Sequence, residues 1–204
     1  LSKKKYQAGT NERKLSDFYK MSMDSARRNQ EGIAPVKPML DEMEAAKTLE
    51  ALRQVQLKYG KMGFGVPFGS YFGADDKNVT MNIFSVGQSG LTLGQKDWYV
   101  NPDKATSDIR EAFKKHIVRM FELFGFNHAD AQRKMQSVFR FETELALVSK
   151  SNVELRDPQA NYNKMTLAQF EETYPNIPLK AYTQAEGIDT KYIQELIVGQ
   201  PAFF

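Results

Sequence analysis

The chain has 204 residues, 41% hydrophobic and 26% charged, with 28 basic side chains against 25 acidic ones and a formal charge of +3. That balance excludes the disordered and fibrous classes, and a chain of this length buries roughly 70% of the surface its unfolded form exposes. Scattered charge of both signs argues against a nucleic-acid or membrane-surface partner, and the absence of cysteine excludes disulfides and thiolate metal sites.

From Thr10 to about Gln30, Leu15, Phe18, Tyr19, Ser22, Met23 and Ala26 recur at spacings of three and four, which predicts one helix with a single apolar stripe. Thr10 or Asn11 caps its start. Gly32, Pro35 and Pro38 break it, Met39 to Ala46 restart it briefly, and Thr48 opens a further helix carrying Leu49, Leu52, Val55, Leu57 and Tyr59.

Gly60, Gly63, Gly65, Gly69 and Gly73 then crowd into fourteen residues around Pro67. Neither G-x-G-x-x-G nor a Lys-Ser/Thr ending accompanies them, so the stretch reads as the approach to a hairpin rather than a phosphate loop. Val79, Met81, Ile83 and Val86 follow an approximate period of two, and the tetrad Asp75-Asp76-Lys77-Asn78 supplies turn chemistry. A β-hairpin over about residues 70–86 is the prediction. The two aspartates lack the twelve-residue frame of a calcium loop.

Asn101-Pro102-Asp103 predicts a helix opening with Asn101 as the capping acceptor, followed by the apolar face Ile109, Phe113, Ile117, Met120, Phe121 and Phe124 and a stop at Gly125. Asn127 and Asp130 open a second long helix with Ala131, Met135, Val138, Phe139, Glu142, Leu145 and Ala146 on one side, antiparallel to the first. Beyond Pro158 the elements shorten. Thr166 and Gln169 form a capping box, and Ile193, Leu196, Ile197 and Val198 read as a segment continuing into further chain. Leu1 in place of methionine and the apolar end Pro201–Phe204 predict continuation on both sides. The fold class expected is mainly α, a multi-helical domain over residues 1–204 with one small hairpin.

The search for chemistry returns nothing that acts alone. His116 and His128 are the two histidines, twelve residues apart, so no H-E-x-x-H pair places two ligands on one helical face. His116 reads as a boundary residue of an apolar face and His128 as an exposed residue in a first helical turn. No G-x-S-x-G elbow is present. Glu142 and Glu144 point to different sides of a helix, and Glu142 is a buried carboxylate expected to sit in a structural ion pair with a partner such as arginine. No catalytic, cofactor-binding or metal residue is assigned.

Three stretches together resemble the non-catalytic helical domain of the neprilysin and endothelin-converting-enzyme family of zinc metalloendopeptidases. The first runs through Tyr19, Met23, Asp24, Asn29, Gly32, Pro35 and Pro38. The second holds Ala74-Asp75-Asp76-Lys77-Asn78, then Gln88, Gly90, Leu91, Leu93, Asp97, Trp98 and Tyr99. The third holds Glu142, Leu145, Ala146, Arg156-Asp157-Pro158 and Tyr162-Asn163-Lys164-Met165-Thr166, with Gln200-Pro201 at the end. Trp98, Gly94 and Ser22 depart from the family pattern, and Ser22 stands where animal members carry a disulfide cysteine, which is similar to a bacterial branch.

The resemblance implies a lid that, with a catalytic domain of the same polypeptide, encloses a chamber admitting oligopeptide substrates. It also implies that zinc and its ligands lie outside this chain, in the full-length parent, and that the parent works outside the cytoplasm, periplasmic or secreted. Residues 1–204 alone are then inactive, with no nucleic acid and no membrane contact from this region. Asp157, Arg156 and Asn163 are read as ordering the loop between helices, with a chamber-facing Arg156 as the alternative. A stand-alone, non-enzymatic helical binding module is the competing reading of the whole chain.

Overall fold

A computed structural model describes residues 4–60, 62–63 and 68–204; Gly65 and Pro67 of the glycine-rich stretch lie outside them. Its backbone divides into two compact units, Leu1–Ala45 and Ala46–Phe204.

The first unit holds α1 (Asn11–Met23), α2 (Ser25–Glu31) and α3 (Lys37–Ala45). Thr10 caps α1, its hydroxyl accepting from Arg13 N. The single long helix expected here is two helices. Asp24 leaves the helical region at ψ 77° and its carboxylate accepts from Arg27 N at 2.9 Å, so one residue ends α1 and starts α2. Gly32 follows at φ +52°, a left-handed turn that a side chain resists. The apolar stripe is present but is not core, because Leu15, Phe18 and Met23 all remain more than half exposed.

In the second unit α4 (Leu49–Gly60) is opened by Thr48, which accepts from Ala51 N at 3.1 Å. The predicted hairpin is present as β1 (Phe68–Asp75) and β2 (Asn78–Gln88). It belongs to a larger sheet of order β1-β2-β4-β3, where β3 is Asn163–Thr166 and β4 is Glu195–Val198. β1 runs antiparallel to β2, β4 lies parallel to β2 through Phe84↔Leu196 to Val86↔Val198, and β3 runs antiparallel to β4. The segment Ile193–Val198, expected to lead out of the domain, instead returns to fill the middle of the sheet.

That return explains the burial of β2. Residues Ile83, Phe84, Ser85 and Val86 are all buried because they lie between two neighbouring strands, whereas Val79 and Met81 belong to a two-stranded ribbon beyond the end of β4 and stay exposed. Phe84, Val86, Leu196 and Val198 pack on Phe170 of α8 (Leu167–Thr173), Leu179 of α9 (Leu179–Ala185) and Ile193. Thr166 and Gln169 make the reciprocal capping box that opens α8. Phe204 closes this core with its ring 5.5 Å from that of Phe170.

A second core joins α5 (Asp97–Val100), α6 (Lys104–Leu123) and α7 (His128–Val148) around Tyr99, Phe113, Ile117 and Ala146. Lys114 lies over Phe139 and Lys134 over Phe121, so the two long helices run antiparallel as expected. Asn127 caps α7 through Asp130 N. The cap of α6 is Asp103 rather than Asn101, since its carboxylate reaches Thr106 N while Pro102 remains outside the helix.

Candidate functional site

The second and third family-like stretches converge on two polar nodes, both in the second unit. In the first, Glu142 projects from the inner face of α7 with 7% exposure. Its carboxylate accepts from the hydroxyl of Thr92 at 2.7 Å, from Thr92 N at 3.2 Å and from the Tyr99 hydroxyl, which in turn accepts from Leu93 N at 3.1 Å. The arginine partner expected for Glu142 is replaced by hydroxyl and main-chain donors. Burial first, and the bond to Glu142 second, raise the Tyr99 phenol above its ordinary range. The node staples the irregular segment 91–99 to α7.

In the second node Gln88 and Lys150 bond reciprocally: Lys150 N donates to Gln88 Oε1 at 2.7 Å, and Gln88 Nε2 donates to the Lys150 carbonyl at 2.9 Å. Gln88 N donates to Gln200 Oε1 at 2.8 Å, and Gln200 Nε2 donates to Asn161 Oδ1 at 3.1 Å. Asn161 also donates to the carbonyls of Leu155 and Asp157, which fixes the loop after α7. A side chain at Gly87 would put its Cβ 2.9 Å from Gln200 Oε1. Gly87→Ala is therefore expected to cost about 1–2 kcal/mol in urea unfolding, and to add less than its full cost on a Gln200→Ala background, where the clash is already gone.

Beside this node lies a cleft of about 490 Å³ lined by Tyr71, Asp76, Gln88, Arg156, Asn161 and Gln200, among others. Arg156 is exposed at its rim. Asp157 orders the loop by accepting from Gln159 N and Ala160 N, and Asn163 Nδ2 donates to the Val198 carbonyl at 2.9 Å. Asp157 thus holds the loop as expected, whereas the bond of Asn163 ties β3 to β4.

At the hairpin tip Asp75 is buried, accepting from Lys77 N at 2.9 Å and from the Tyr162 hydroxyl at 2.8 Å. Those two bonds hold its carboxyl below the ordinary carboxylate range. Stability from this group is thus present at neutral pH and lost as pH falls through the lowered value. Lys164 completes the cluster, 3.6 Å from Asp75 and 2.9 Å from Glu195. The tetrad is turn chemistry.

His116 and His128 sit on different helices, both exposed, and His128 Nδ1 lies 2.8 Å from Glu122 Oε1. Among the described residues no group of three histidine, cysteine, aspartate or glutamate side chains is placed to hold a metal ion. Among the same residues no helix is long and apolar enough to cross a membrane.

The chain is a helical region with a small mixed sheet, and its second and third family-like stretches build the two polar nodes. The profile of peptidase family M13 matches residues 1–204, and the chain belongs to that family of zinc metallopeptidases. Neprilysin-3 of Drosophila melanogaster is 29% identical over 121 residues, which is 59% of this chain and 15% of that protein. Mouse endothelin-converting enzyme 1 is 27% identical over 176 residues, 81% of this chain and 22% of the enzyme. The zinc metalloprotease ZMP1 of Mycobacterium tuberculosis, solved with an inhibitor, superimposes with a TM-score of 0.87 at 26% identity, covering 97% of this chain and 30% of that one. The chain thus spans less than a quarter of the curated relatives it matches here. Its lack of cysteine accords with the bacterial branch.

Proposed function

We propose that residues 1–204 form one helical, substrate-enclosing domain of a longer zinc metalloendopeptidase that cleaves oligopeptides, and that every zinc ligand and catalytic residue lies elsewhere in the same polypeptide. The observation that carries this reading is the match of 97% of this chain to 30% of a zinc metalloprotease at a TM-score of 0.87. Its partners are then the catalytic domain and the enclosed peptide, and the parent works outside the cytoplasm.

The chemistry left to this region is confinement. A roof that excludes bulk water and folded proteins lets short peptides reach a metal centre in the facing domain, and it contributes to rate by shaping access rather than by handling protons. The rigid nodes at Glu142 and Gln88 suit that task, because a roof held by buried hydrogen bonds keeps its shape as substrates come and go.

The test is a cleavage assay on the purified 204-residue chain, with added zinc and a quenched fluorescent peptide. No turnover sensitive to a chelator is expected, and zinc is expected to wash out on gel filtration. Chelator-sensitive cleavage, or zinc retained at about one ion per chain, would refute the assignment.

A further inference from the structure

The tip of the β1–β2 hairpin carries a sequence feature that the fold does not use. Asn78-Val79-Thr80 reads N-x-T with no proline between, and Asn78 is the one asparagine of the chain with a serine or threonine two positions later. Such a triplet accepts N-linked glycosylation when it lies on an exposed turn of a protein exported from the cytoplasm. Asp76 stands two residues before Asn78, so the stretch also fits D-x-N-x-T, the longer acceptor that oligosaccharyltransferases of the bacterial type read. The turn itself is held by Asp75, which accepts from Lys77 N and from the Tyr162 hydroxyl. Thr80 has no part in it.

The geometry suits the acceptor role. Asp76 to Asn82 are all exposed, because the ladder from β2 to β4 begins only at Phe84 and the tip extends beyond it. Asn78 and Thr80 lie two apart on a strand and therefore on one side of it. The Thr80 hydroxyl donates to Asn78 Oδ1 at 2.7 Å, and this is its one hydrogen bond among the described residues. The bond fixes the amide by its oxygen. Asn78 Nδ2 has no hydrogen-bond partner among the described residues, so the atom that would carry a sugar is unengaged. An asparagine in a turn ordinarily spends its side chain on nearby main chain, and here Asp75 does that instead. Beside Asn78 lies a cleft of about 430 Å³, bordered by Met81, Asn82, Lys164 and Tyr192 among others, which leaves room for a first sugar.

We propose that Asn78 is an acceptor for an N-linked glycan. In the transfer, Nδ2 forms a bond to the anomeric carbon of a lipid-linked diphospho-oligosaccharide. The bond from that carbon to the diphosphate oxygen breaks, the lipid diphosphate leaves with the electron pair, and the Nδ2 proton passes to a base of the transferase. Nothing is oxidised or reduced. The glycan would stand on the hairpin tip beside Val79 and Met81, which the fold leaves 77% and 59% exposed. The inference rests on the reading above for one point, that the parent works outside the cytoplasm, where such a transferase acts.

The test is made with purified components, so it does not depend on that point. The folded 204-residue chain and the full-length parent are each incubated with a bacterial-type oligosaccharyltransferase and a lipid-linked oligosaccharide. Intact mass, and fragmentation of the peptide that contains Asn78, read the product. One glycan per chain, on Asn78, is expected in both proteins. Asn78→Gln, Thr80→Ala and Asp76→Ala are each expected to abolish transfer, and Thr80→Ser to retain it. Because the Thr80 hydroxyl bonds to Asn78 alone, Thr80→Ala tests recognition while leaving both cores untouched. Absence of transfer to either folded protein, or transfer that survives Thr80→Ala, would overturn the proposal. So would transfer to the 204-residue chain and not to the parent, which would show that the remaining polypeptide covers the tip. None of these outcomes bears on the zinc and cleavage assay, so the two readings fail separately.

Discussion

Glu142→Ala is expected to destabilise the second unit by about 3 kcal/mol or more in urea unfolding, because it removes the acceptor of three hydrogen bonds inside the fold. The phenol of Tyr99, 5% exposed, would be left buried beside a cavity, and the hydroxyl of Thr92 would lose its acceptor. Glu142→Gln keeps an acceptor oxygen and the volume, so a loss of about half that size is expected. Equal losses in the two variants would show that packing, rather than the acceptor, is what matters.

The same node sets an alkaline limit. Tyr99 titrates above its unfolded value of 10.0, chiefly because it is buried. Above pH 10 the unfolded chain has released the proton that the folded chain still holds, so stability falls as pH rises through that window and is complete below it. Tyr99→Phe is expected to flatten this alkaline limb in a series of urea titrations, beyond its constant cost from the lost bond.

Phe84→Ala is expected to cost about 3–5 kcal/mol, the second large effect. The ring is 1% exposed on the middle strand, 5.0 Å from Phe72, and packs with Leu196 and Val198 of the parallel neighbour. A cavity there loosens both ladders of β2. Val79→Ala, on the exposed ribbon of the same strand, is expected to stay within about 0.5 kcal/mol. Similar losses at the two positions would mean that the sheet is not the core of this unit.

The contrast between Phe84 and Val79 also shows where reading a sequence stops. Local signals with a nearby partner were readable: the Thr166–Gln169 capping box, the Asn127 cap, the periodic faces of α6 and α7, and the turn at Asp75–Asn78 each depend on residues a few positions apart. The sheet beyond the hairpin was not, because β3 and β4 are four residues each, β4 pairs with β2 more than a hundred residues before it, and β3 pairs only with β4. Strands that short carry almost no period, and Ile193–Val198 had no visible partner.

The polar nodes were half visible. Gln88, Tyr99, Glu142 and Gln200 stood out through resemblance, and Glu142 through its place on an apolar helical face. Thr92, Lys150 and Asn161, which complete the hydrogen bonding, gave no signal, since a threonine, lysine or asparagine in a loop is ordinary until its neighbours in space are known. The mistaken arginine partner for Glu142 has the same cause: spacing reports that a carboxylate is buried, not which donors reach it. The division at Asp24 was hidden because one carboxylate caps a new helix without interrupting the apolar spacing.

Both nodes tie irregular chain to long helices or to the sheet. The most direct test is to translate the reading frame past Phe204. A helix bearing H-E-x-x-H, the pair that presents two zinc ligands on one face, is the expected result; a frame that closes shortly after Phe204, with no such helix, would contradict the assignment to a peptidase and leave only a helical module.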